Sequence, residues 1–109
     1  MKILYTDKFP FIGKDFIAIN LFGVLIARKG KTLTPSTVLH ERIHSLQMRE
    51  MLYVFFYLWY VTEWLIKMLR CFSASKAYWR ISFEREAYDN ESNPGYLHQR
   101  KPYRWLKYL

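Results

Sequence analysis

Cysteine is nearly missing from this sequence: Cys71 is the only one in 109 residues. One thiol excludes an internal disulfide framework and a zinc site built from cysteines. Acidic residues are also scarce, nine against 17 Lys and Arg, which leaves a net charge of +8. That excess favours acidic partners, whether nucleic acid, an anionic membrane surface or an acidic peptide, and does not choose among them. No uncharged run is longer than twelve residues. As a helix, such a run rises about 18 Å, short of the roughly 30 Å of hydrocarbon in a bilayer. Repeats and low-complexity tracts are missing too. Residues 1–13 carry Lys2, Asp7 and Lys8 without a continuous apolar run, so they do not read as a secretory signal. The expected address is the cytoplasm.

What is present is apolar and aromatic. Half of the residues are hydrophobic and 19% are aromatic, which is a core-forming composition rather than a disordered one. The length suits one domain, residues 1–109, with a single modest core.

The fold expected is α+β. Residues 2–5 form a short apolar run. Residues 16–20 and 24–28 read as two strands joined by a tight turn, giving a small antiparallel sheet of two to three strands. Thr34 and Pro35 read as N-cap and first position of a helix running to at least Glu50. Val38, Ile43 and Leu46 supply its apolar contacts, and Arg42, Arg49 and Glu50 read as solvated. A long apolar helix follows, residues 51–69 (Met51 through Leu69). Glu63 and Lys67 stand in it at i and i+4, as on a wet or paired face. Its reading divides between a core helix that also offers a homodimer contact and shallow membrane association, a true span being least favoured. A third helix, residues 76–90, ends at Asn93-Pro94-Gly95. The C-terminal stretch interleaves Arg100, Lys101, Arg104 and Lys107 with Tyr103, Trp105 and Tyr108. Packing of these rings on the domain is favoured over a single-stranded nucleic-acid clasp.

One motif stands out. His40-Glu41-Arg42-Ile43-His44 spells H-E-x-x-H in the predicted helix. Positions i and i+4 share a face roughly 6 Å apart along the axis, so both imidazoles reach one metal ion. The intervening glutamate lies near enough to take a proton from water at that ion. A real site needs a third donor, and Glu84 in Ser82-Phe83-Glu84-Arg85-Glu86-Ala87-Tyr88 offers one. It shares a face with Ala77, Ile81, Ala87 and Tyr88, whereas Glu86 points about 200° away, towards solvent with Arg85. By itself Glu84 also suits a surface pair with Arg80.

H-E-x-x-H on one helix and E-x-x-A on a later one resembles the gluzincin metallopeptidases. The pattern is most similar to the compact core of HtpX-type and prenyl-protein (CAAX) proteases and of ImmA/IrrE-type peptidases. The resemblance covers residues 17–88 and implies that His40, His44 and Glu84 bind Zn2+ while Glu41 is the general base. It departs at Tyr88, where those families usually carry Asp or Asn. Tyr88 is therefore a candidate to orient a ligand or stabilise an oxyanion, alongside Tyr96 and His98. The whole chain is also similar to short bacterial proteins of comparable length, which imply no activity. The resemblance further implies a peptide or protein substrate held along an exposed edge strand. Val24 to Arg28 is the candidate edge, with Lys29 and Lys31 favouring acidic substrate residues. The alternatives are a metal-binding module without turnover and a basic adaptor for membranes or nucleic acid.

Overall fold

A computed structural model describes residues 2–6, 18–30 and 33–109. Its architecture is α+β: a three-stranded sheet, β1 (Ile3–Thr6), β2 (Ala18–Leu21) and β3 (Val24–Arg28), precedes the helices. β2 and β3 form the expected antiparallel hairpin, with Leu21 opposite Val24 and Asn20 opposite Leu25. Phe22 and Gly23 make its two-residue turn at φ of 51° and 88°, the double left-handed conformation that matches the twist of paired strands. Phe22 lacks glycine's freedom there. Its N–H donates to the Tyr57 hydroxyl at 3.0 Å, and its ring lies 5.2 Å from that of Tyr57. The first part of the expected strand 16–20 lies outside the described residues, as does Lys31.

The sheet order corrects one expectation. β1 pairs parallel with β3, so the order is β1-β3-β2 and the sheet is mixed. Val24–Arg28 is therefore the central strand and not an edge. Burial agrees with that place: Leu25 and Ala27, which share one face, are fully buried, and Val24 and Ile26 on the other face are half-buried. Among the described residues the edges are β1 and β2.

Helix α1 (Pro35–Glu50) starts where its cap predicts. The Thr34 hydroxyl accepts from the Thr37 N–H at 3.1 Å, and Pro35 occupies the first turn. The chain then turns through 109° into α2 (Val54–Cys71). Leu52 and Tyr53 sit at positive φ in this elbow, and the Tyr53 N–H donates to the Met48 carbonyl at 2.7 Å. No single helix among the described residues is long and apolar enough to cross a membrane.

The expected helix 76–90 is two helices, α3 (Ala74–Arg80) and α4 (Ser82–Asn90), broken at an extended Ile81. The cause lies on α2. Glu63 accepts from both the N–H and the hydroxyl of Ser82, each at 2.7 Å, while Lys67 donates to the Arg80 carbonyl at 2.8 Å. The Glu63–Lys67 pair, 3.3 Å apart, thus caps the end of one helix and the start of the next. A carboxylate at a helix start and an ammonium at a helix end both oppose the local dipole charge. The i, i+4 residues expected on a wet or paired face are indeed paired, with Glu63 buried and Lys67 half-buried.

Two other carboxylates depart from expectation. Glu86, expected in solvent, is fully buried; it accepts from Tyr96 (2.7 Å), Gln47 (3.1 Å) and Arg100 (2.6 Å). Glu50, also expected in solvent, takes the other side of the Arg100 guanidinium at 2.8 and 2.9 Å. These pairs hold the C-terminal segment, with α5 (Tyr96–Gln99) and a 3-10 turn (Arg104–Tyr108), against α1 and α4. Trp105 is buried, as the ring-packing reading expects, while Lys101 and Lys107 stay in water.

Removing the buried Glu63 carboxylate leaves the Ser82 N–H and hydroxyl without their acceptor and Lys67 without its counter-charge. Glu63→Ala is expected to lower unfolding free energy by about 3–5 kcal/mol in urea titrations. Lys101→Ala at an exposed position should stay within about 0.5 kcal/mol of the parent.

Candidate metal centre

The centre is built where α1 crosses the start of α4. His40 and His44, one turn apart on α1, turn their Nε2 atoms towards each other at 3.0 Å. Glu84, in the first turn of α4, places Oε1 at 3.1 Å from His40 Nε2 and 3.0 Å from His44 Nε2. All three residues are buried, at 6%, 5% and 5% exposure. Among the described residues they form the one group able to hold a metal ion.

The partners behind these donors fix what faces the centre. His44 Nδ1 stands 2.7 Å from Gln47 Oε1. The Gln47 amide is oriented by its own NH2, which donates to the Phe83 carbonyl and to Glu86. His40 Nδ1 stands 3.1 Å from Glu91 Oε2. Both Nδ1 atoms thus face acceptors and carry the proton, which leaves the Nε2 lone pairs aimed inward. Tyr60 donates to Glu84 Oε2 at 2.7 Å and leaves Oε1 for the centre.

Three lone pairs converging at 3.0–3.1 Å repel one another unless a cation or a proton sits among them. Tetrahedral donors at about 2.0–2.1 Å from zinc lie roughly 3.3 Å apart, so the triangle suits an ion after spreading by a few tenths of an ångström. Without metal, a proton serves. Burial works against charge on His44, but the Glu84 carboxylate outweighs it and pushes the imidazole up to about 9. Against the same cost of burial, His44 and the bonds from His40 and Tyr60 hold Glu84 far below the usual carboxylate range.

A cleft of about 390 Å³ opens on the cluster, lined by Ala18, Ile19 and Asn20 of β2 and by Glu41, Tyr60 and Tyr78. Burial raises the Glu41 carboxyl above its ordinary value, with His44 and His40 opposing, and so makes it a stronger base. Asn20 donates to the Glu41 main-chain carbonyl at 2.9 Å and to the Ser45 hydroxyl at 3.0 Å, tying β2 to α1.

Tyr88 packs its ring 4.3 Å from that of His40, and its hydroxyl lies 2.8 Å from that of Tyr78. It borders His40, while Tyr60 and Tyr78 are the phenols that line the cleft. Tyr96 and His98 lie elsewhere: Tyr96 bonds Glu86, and His98 is exposed beyond α4. Sequence reasoning missed Gln47, Glu91, Tyr60 and Tyr78. Gln47 was traceable at i+3 from His44, and Glu91 at i+7 from Glu84, two turns along one face. Nothing in the sequence pointed to the two tyrosines.

Metal analysis of purified protein should give one ion per chain, lost in His40→Ala, His44→Ala and Glu84→Ala. Glu91→Ala and Tyr60→Phe should keep the site but weaken it 10–100-fold. Because binding displaces the His44 proton, apparent zinc affinity should rise about tenfold per pH unit between roughly 6.5 and 9. Metal-free protein should show the reverse trend. Its His44 is raised on folding, so that stabilisation is complete below about pH 6.5 and lost as pH climbs through 9, visible as a falling Tm. No family model, curated protein or solved structure matches the chain, so the reading of this centre rests on its own residues.

Proposed function

We propose that the protein is a zinc-dependent metallopeptidase in which His40, His44 and Glu84 hold the ion and Glu41 is the general base. The observation that carries this reading is the convergence of three inward-facing lone pairs beside a cleft that also contains a carboxylate of raised pKa. A His/His/Glu set leaves one tetrahedral position open, the pattern of catalytic rather than structural zinc. Imidazole and carboxylate donors in a tetrahedral set suit zinc, and they also accept other first-row divalent ions. When bound, the ion would supply Lewis acidity to a substrate carbonyl and lower the pKa of a nearby water.

The chain's own groups provide the rest. Glu41 takes the proton of the attacking water and delivers it to the departing amine. Tyr78 faces the cleft with its phenol held protonated, since burial and the nearby Glu84 both push its pKa up. It is a candidate donor for the oxyanion, a role that requires Tyr88 to be the donor in the bond their hydroxyls share. Edge strand β2 borders the same cleft, so an extended peptide added beside it would pass over Glu41 and the metal ligands.

Glu41→Gln should bind zinc like the parent yet cleave a fluorogenic peptide library 10²–10⁴-fold more slowly. Equal, background-level cleavage by both zinc-loaded proteins would reduce the site to a metal-binding module.

A further inference from the structure

Helix α2 is apolar on its outer side as well as around the inward-facing Phe56. The side packed on the protein carries Glu63, Lys67, Tyr57 and Tyr60, each bonded to another element. The opposite arc, about 140° wide at 100° per residue, carries Val54, Leu58, Val61, Leu65, Leu69 and their neighbours. These are exposed, Leu58 at 59% and Leu69 at 71%. At roughly 100 Å² for each half-exposed large side chain, the face offers on the order of 800 Å², above the roughly 300–600 Å² of a typical monomer's largest patch. Thr62 is the one polar side chain inside the arc. Its hydroxyl donates to the Leu58 carbonyl at 2.7 Å and is satisfied without water. Phe22, at the hairpin tip, extends the face beside Val54, Leu58 and Val61.

Charge selects the occupant. Arg49 precedes the elbow, Arg70 lies in the last turn of α2, and Lys76 and Arg80 follow on α3, all exposed. Among the described residues, Asp89 is the one exposed acid, and it lies on α4. A second copy seated on this face would bring like charges together. A nucleic acid would leave the aliphatic arc without a partner. An anionic lipid surface satisfies both the apolar arc and its cationic ends. We infer that α2 and the hairpin tip form a docking face that lies in the headgroup layer of an anionic membrane, with α2 parallel to the surface.

The inference is independent of the zinc chemistry. Flotation of the full-length protein with vesicles of phosphatidylcholine and 30% phosphatidylglycerol tests it, with phosphatidylcholine alone as the comparison. The parent should float with the anionic vesicles, with and without chelator. The triple variant Leu58→Gln, Leu65→Gln, Leu69→Gln should bind at least tenfold more weakly with unchanged helix content by circular dichroism. Arg49→Gln with Arg70→Gln should lose the preference for anionic vesicles. No flotation of the parent overturns the inference, as does a triple variant that floats like the parent. So does a parent dimer in sedimentation that ignores vesicles and dissociates in the triple variant, which would mark the face as a contact between copies.

Discussion

Two imidazole nitrogens and a carboxylate oxygen point at one another across about 3 Å in a buried pocket, and that mutual repulsion is the constraint on which the rest of the site depends. An arrangement of this kind persists only when something positive fills it and when surrounding bonds stop the donors from turning away. Gln47, Glu91 and Tyr60 supply those bonds, one to each donor residue. The proton held by His44 in the metal-free chain and a bound metal ion would meet the same requirement, so they would compete for the same space.

The support extends beyond the first ring of partners. Gln47 is oriented by Glu86, Glu86 is neutralised by Arg100, and Arg100 is shared with Glu50 at the end of the ligand-bearing helix. Every carboxylate oxygen in this chain of bonds accepts at least once, as burial demands. The C-terminal segment therefore helps to hold the Gln47 amide, which in turn orients His44 on α1. Glu63 has the same character on the other side, since it fixes the start of α4 and with it the position of Glu84.

α2 serves both sides of this design. Its polar side chains turn inward because two helix ends, a strand turn and a ligand carboxylate require partners there. Its aliphatic side chains are left outward by the same geometry. A buried site held by charges on a short chain thus has an apolar exterior on the helix that supports it.

Local order was legible in the residues. The cap at Thr34 and Pro35, the hairpin around Gly23 and the i, i+4 histidines follow from steric and hydrogen-bonding rules that act over a few residues. Glu84 was legible as a candidate because its helical face is small and apolar. What no short-range rule displayed was anything that depended on a partner distant in sequence. The break at Ile81 comes from Glu63, 19 residues before Ser82. The burial of Glu86 comes from Arg100, and the central place of Val24–Arg28 comes from the parallel pairing of β1. The sequence alone determined which elements form and which donor types are available, since those follow from local sterics and side-chain chemistry. Tertiary structure decided which carboxylates are buried, which strand is an edge and that three donors meet, because each of those outcomes is an energy shared between elements.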